Sequence, residues 1–194
     1  MKFKPTNKPG GVVVELGPKE AQLPGTSSGP APAVLTEFKL KKILVPVDFS
    51  DCSNKALQYA IPFAKQFNAK LILLYVVQPY LPVPEFPMVD VEPVLRQIRE
   101  TGKKELEKLQ RTVGNKIPLE IALREGTPYL EIINAVKELG IDLIILSTHG
   151  RTGLAHIFIG STAERVVRHA GCPVLVVRER EREFVAGKSA DTRG

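Results

Sequence analysis

Five short apolar runs, each followed or preceded by a segment of helical periodicity, constrain this chain more than any other feature. The runs are KKILVPV (41–47), AKLILLYVV (69–77), IPLEIAL (117–123), IDLIILS (141–147) and CPVLVVR (172–178). Most are continuously apolar rather than alternating, the pattern of strands buried on both faces of a parallel sheet. After the first run, Ala56, Leu57, Ala60, Ile61, Ala64 and Phe67 recur at helical spacing. The region of Asp51 and Ser53 supplies N-cap candidates for that helix, and Pro62 inside it predicts a kink. VEPVLRQIRETGKKELEKLQRTVG (91–114) reads as an amphipathic helix, TPYLEIINAVKELG (127–140) as a helix that Thr127 can cap with Pro128 at its first position, and STAERVVRHAG (161–171) as a third. Strands alternating with helices give an α/β, doubly wound fold with helices on both faces of a parallel sheet.

The ends of the chain differ in character. Residues 1–37 are rich in Pro, Gly and Ser, as in LPGTSSGPAPAV, and read as a flexible extension. The strand-like run VVVEL (12–16) within it is expected either to pair with a sheet edge or to fray. A proline-rich loop, PYLPVPEFPMVD (79–90), and a polar tail over 179–194 complete the organisation around one folded domain, 38–178.

Composition excludes several classes of function. No apolar run reaches the roughly 18 residues of a membrane span, and the basic N-terminus has no apolar stretch behind it. No membrane association is expected, and a cytoplasmic location is. The net charge of +6 comes from Lys and Arg interleaved with Glu, and aromatics make up 6% of the chain, so no nucleic-acid partner is expected. Cys52 and Cys172 are the only cysteines, lack metal-ligand spacing, and read as two buried thiols. The expected site contains no metal.

In doubly wound sheets ligands bind beyond the carboxyl ends of the strands, where strand order reverses. The handover STHGRTGLAHIFIGST (147–162) is the richest such stretch. Gly150, Gly153 and Gly160 let the backbone approach a ligand closely, and the helix that starts at Gly160-Ser161-Thr162 offers unpaired N–H groups to an anion. Ser161 and Thr162 add hydroxyls, although Ser161 with Glu164 also forms a capping-box pattern of purely structural use. His149 and Arg151 add polar groups, and Arg151 can either fork onto phosphate oxygens or stand solvated. At the end of the first strand, Asp48 in VPVDFS can accept hydrogen bonds from a ribose or cap the helix that follows.

VPVDFS, LILLYVV, and STHG followed by nine residues and Gly160-Ser161, with AERVVRHAGCPVLVV behind, resemble the universal stress protein family over roughly residues 38–178. The resemblance implies a five-stranded sheet in order 3-2-1-4-5 and a homodimer paired through the last strand, Val174–Val177. It also implies ATP, alone or with Mg²⁺, bound through a pattern of Gly, two residues, Gly, nine residues, Gly, then Ser or Thr. Gly150, Gly160 and Ser161 fill that pattern, and Ser147 stands at its first glycine. The Ser147 side chain either crowds the ribose and phosphates or donates its hydroxyl to a phosphate oxygen. The same resemblance puts Asp48 near the adenosine, the Val76 backbone against adenine, Thr162 near the phosphates, and Pro46, Val47 and Leu146 at the strand ends around them.

No Walker-type GxxxxGK[ST] loop, HExxH or GxSxG signature occurs. The chain therefore reads as a regulatory or sensor module with slow ATPase activity at most, acting on an unidentified protein partner. The alternative is a dimeric interaction scaffold that binds no nucleotide.

Overall fold

The computed structural model describes residues 2–5, 12–15, 39–79, 91–114, 117–150 and 159–178. The chain divides into two compact units, Met1–Leu40 and Lys41–Gly194. In the first unit, β1 (Lys2–Pro5) pairs antiparallel with β2 (Val12–Glu15), Lys2 opposite Glu15 and Pro5 opposite Val12. The Val12 run thus finds its partner in the preceding residues. KFKP gave no strand signal because lysine and proline break the apolar pattern. The rest of 1–37, the loop over 80–90 and the tail over 179–194 lie outside the described residues.

The second unit runs β3 (Lys42–Pro46), α1 (Asp51–Phe67), β4 (Lys70–Val77), α2 (Glu92–Val113), β5 (Leu119–Glu125), α3 (Pro128–Leu139), β6 (Leu143–Ser147), α4 (Ser161–His169) and β7 (Val174–Val177). Its five strands are all parallel in the order β5-β4-β3-β6-β7, which is 3-2-1-4-5 when counted within this sheet. The chain builds outward from β3 through β4 to β5, then crosses back to place β6 on the other flank of β3. The reversal point therefore lies between β3 and β6.

The pleat sorts the strand residues onto two apolar faces. Leu44, Ile72, Leu74, Ile144 and Leu146 form one core layer with Ile132, Ala135 and Val136 of α3 and Ala163 and Val166 of α4. The alternate residues Ile43, Val45, Leu71, Leu73 and Ile145 are fully buried on the other face, where α1 lies against β3 and β6 and α2 against β4 and β5. Fully burying each aliphatic side chain contributes about 1.5–3 kcal/mol, so two such layers hold the strand ends that form the site. At the opposite end of the sheet, the Asp142 carboxylate accepts from the Lys41 and Lys42 N–H groups at 2.7 and 2.9 Å, and Lys42 Nζ donates to the Leu139 carbonyl at 2.6 Å. These bonds fix β3 against the start of β6.

Several local expectations are corrected. Ser50, not Asp51 or Ser53, caps α1, accepting from Ser53 N at 3.2 Å. The reason is a turn one residue earlier, where Phe49 takes φ 66°. Pro62 lies inside α1, as its place in the helical pattern implies, and the helix runs on to Phe67 and ends at Asn68 in the left-handed region. Thr127 occupies the N-cap position of α3, but its side chain makes no capping bond. Both thiols are half-buried rather than buried. Burial still pushes the Cys172 thiol up, with the nearby Asp142 charge adding to it.

Candidate functional site

The carboxyl ends of β3, β4 and β6 and the N-termini of α3 and α4 enclose a cleft of about 410 Å³. Small-molecule sites usually fall within about 300–1,000 Å³. Its lining is mixed: Pro46, Val76, Leu146 and Ile132 contribute apolar surface, and Asp48, Ser147, Ser161 and Thr162 contribute polar groups.

Asp48 stands just beyond β3, and its Oδ1 accepts from Ser50 Oγ at 2.6 Å and from Ser50 N at 3.1 Å. These bonds close an Asx-type turn. Asp48 therefore does not cap α1 directly; it holds the residue that does. Phe49, between them, pays for its left-handed conformation with about 1–2 kcal/mol, and its ring packs 4.7 Å from that of Tyr75. The second oxygen of Asp48 explains Gly150. A Cβ at position 150 would lie 2.5 Å from Asp48 Oδ2, so glycine lets the chain leaving β6 pass this carboxylate without displacing it.

Ser147, the last residue of β6, donates from Oγ to the His149 carbonyl at 2.8 Å. Its hydroxyl is committed to its own loop. Thr148 is buried and anchors that loop from both sides: its N–H donates to the Val177 carbonyl at 2.9 Å, and its carbonyl accepts from Gly160 N at 2.8 Å. The Thr148 hydroxyl also meets His149 Nδ1 at 2.9 Å, and His149 Nε2 is buried without a hydrogen-bond partner among the described residues. A Cβ on Gly160 would come within 3.1 Å of the Thr148 carbonyl oxygen, so this second glycine also serves a close approach of backbone to backbone.

Gly160 is itself the N-cap of α4. The expected capping box between Ser161 and Glu164 does not form, because Ser161 is already the first helical residue. The consequence is chemical: Gly160 offers no capping side chain, and among the described residues no side-chain acceptor meets the N–H groups of the first turn of α4 at the edge of the cleft. That end of the cleft suits an anion, and the apolar lining residues suit a flat ring. Among the described residues, no three His, Cys, Asp or Glu side chains gather to hold a metal ion.

Pro46, Val47, Asp48, Val76, Leu146, Ser147, His149, Gly150, Gly160, Ser161 and Thr162 all line this one cleft. Arg151 and Gly153 lie outside the described residues. The structure adds lining residues that sequence reasoning did not select. Thr148 carried a signal, a hydroxyl at a strand end, and Pro128 marked a helix start facing the same edge. Tyr75 and Ile98 carried none, because their approach to the cleft depends on how α2 packs across β4.

The model of the universal stress protein family matches residues 39–178. Universal stress protein MJ0531 of Methanocaldococcus jannaschii is 38% identical over 146 residues, covering 74% of this chain and 85% of that protein. Among solved structures, universal stress protein UspA from Lactobacillus plantarum superimposes with a TM-score of 0.64 at 31% identity, over 73% of this chain and 99% of its own. Two others share the fold at 22% identity and a TM-score of 0.53, each over 72% of this chain: a universal stress protein in complex with cAMP, covered over 98%, and a family protein from Arabidopsis thaliana with AMP bound, covered over 92%. The family match spans every strand and helix of the parallel sheet and the whole of the cleft, and by it the chain belongs to the universal stress protein family.

Proposed function

We propose that the cleft binds an adenine nucleotide, ATP, and that the chain acts as a regulatory or sensor module in a stress response. The observation that carries this reading is the α4 N-terminus, where Gly160 offers no capping side chain, opening into the same cleft as Asp48 and the apolar residues Pro46, Val76 and Leu146. In this reading adenine rests against Pro46 and the Val76 backbone, and Asp48 accepts from ribose hydroxyls. The phosphates meet the N–H groups and hydroxyls of Gly160, Ser161 and Thr162, with Gly150 at their side. The Ser147 hydroxyl, held by the His149 carbonyl, supports a cradle in which this serine stays on its own loop rather than in the path of the phosphates. That the same fold holds cAMP in one protein and AMP in another is consistent with this assignment.

The reading extends to a homodimer. Among the described residues β7 is an edge strand with β6 as its one neighbour in the sheet, and Val174, Leu175 and Val176 are only half-buried in the single chain. The same edge supports the alternative of a dimeric scaffold without nucleotide. Among the described residues no helix is long and apolar enough to cross a membrane. Mass spectrometry of the small molecules that co-purify with the chain separates the two readings: adenine nucleotide supports the first, and its absence together with a dimer by light scattering supports the second.

A further inference from the structure

Arg165 lies on α4 four residues beyond Ser161, a residue that lines the cleft, and so shares its helix face. Helical side chains lean toward the N-terminus, which carries this long arm back over the first turn. Its guanidinium carbon sits 4.8 Å from the centre of the Tyr129 ring. Tyr129 follows Pro128, which opens α3 and lines the same cleft. The cation thus rests on the first turn of α3, beside the cleft rather than in its lining.

Its electrostatic position is unusual. Helix N-termini carry partial positive charge and favour acidic neighbours, so a guanidinium held on Tyr129, the second residue of α3, has the wrong sign for that helix end. The adjacent carboxylates are engaged elsewhere: Glu164 pairs with Arg168 at 2.9 Å and Glu131 with Arg124 at 3.7 Å. Arg165 makes no ion pair with any described residue; the aromatic face of Tyr129 is its recorded contact. Such a contact at an exposed site is weak enough to give way to the fork of hydrogen bonds that a guanidinium makes with phosphate. A local choice that opposes the helix dipole for so small a return is expected where function uses it.

We propose that Arg165 binds the outermost phosphates of the nucleotide and makes the cleft discriminate a nucleoside triphosphate from a monophosphate. This rests on the nucleotide reading above. The α4 N-terminus takes the phosphate nearest the ribose, and Arg165, swung off Tyr129, takes the charge beyond it.

The test is isothermal titration of the full chain with ATP and with AMP, for the unsubstituted protein, Arg165→Met and Arg165→Lys. Arg165 is exposed, and methionine keeps the apolar part of its arm. The expected result is tighter binding of ATP than of AMP in the unsubstituted chain. Arg165→Met should lower the ATP-to-AMP affinity ratio about tenfold, the loss of one charge-assisted contact, with Arg165→Lys in between. Equal loss for both nucleotides, or no loss for either, overturns the assignment and leaves the nucleotide site standing. Failure of the unsubstituted chain to bind either nucleotide overturns both.

Discussion

Substituting Gly150 by alanine tests whether the carboxylate of Asp48 shapes the cradle. The new Cβ would sit 2.5 Å from Asp48 Oδ2, against an ordinary contact of at least 3.4 Å. The oxygen must therefore retreat by about 0.9 Å, because repulsion rises steeply inside van der Waals contact. Backbone strain is no part of the effect, since φ at Gly150 lies outside the left-handed range. Moving the carboxylate that far loosens its bonds from Ser50 at 2.6 and 3.1 Å, and with them the residue that caps α1. Hydrogen bonds to a charged acceptor contribute about 1.5–3 kcal/mol each, and partial exposure reduces that. We expect Gly150→Ala to cost about 1–3 kcal/mol, a fall of roughly 3–10 °C in the unfolding midpoint for a chain of this size. Scanning calorimetry measures it in two backgrounds. With Asp48→Ala already in place the obstacle is gone, so the cost of Gly150→Ala should nearly vanish, which is the coupling a double-mutant cycle isolates. An equal fall in both backgrounds would refute the proposed contact.

Other substitutions probe the same strand ends. Gly160→Val brings a branched side chain within 3.1 Å of the Thr148 carbonyl and onto the α4 N-terminus; titration calorimetry should show ATP binding lost, and unchanged affinity would place the phosphates elsewhere. Ser147→Ala removes the bond to the His149 carbonyl and should cost about 0.5–1.5 kcal/mol in thermal unfolding while ATP still binds; loss of ATP binding with no loss of stability would mean the hydroxyl serves the ligand rather than the loop. Cys172 should alkylate slowly near neutral pH in a Cys52→Ser background. Its raised pKa leaves less thiolate at a given pH, so the rate should keep rising at pH values where a free thiol has levelled off; a profile matching that of free cysteine would contradict the half-buried environment near Asp142.

The five-stranded sheet was legible because its strands are apolar on both faces, and the runs around Leu44, Leu73, Ile145 and Leu175 carry that signal locally. The same holds for Pro128 at the start of α3 and for the glycines of the β6 exit. What escaped depends on contacts distant in sequence or on one turn of backbone. Ser161 and Glu164 fit a capping box as written, yet the helix begins one residue earlier than that box requires, with Gly160 at the N-cap, and the cap position carries no side chain. Asp48 looked equally suited to ribose or cap; the Phe49 turn hands the cap to Ser50. The need for glycine at 150 follows from Asp48, about a hundred residues away in sequence, which no local pattern reveals. Ile98 and Tyr75 reach the cleft only through the packing of α2, where the Tyr75 ring lies against Gly102. KFKP in β1 was unreadable because a two-stranded pairing needs no apolar period.

The central claim is that one cleft, with Asp48 in its lining and the α4 N-terminus at its edge, binds ATP. Isothermal titration of the full chain with Mg²⁺-ATP tests it most directly. The account predicts saturable binding with one site per chain and a dissociation constant near the micromolar range, about −8 kcal/mol. No heat of binding across repeated preparations, with the protein folded throughout, would contradict it.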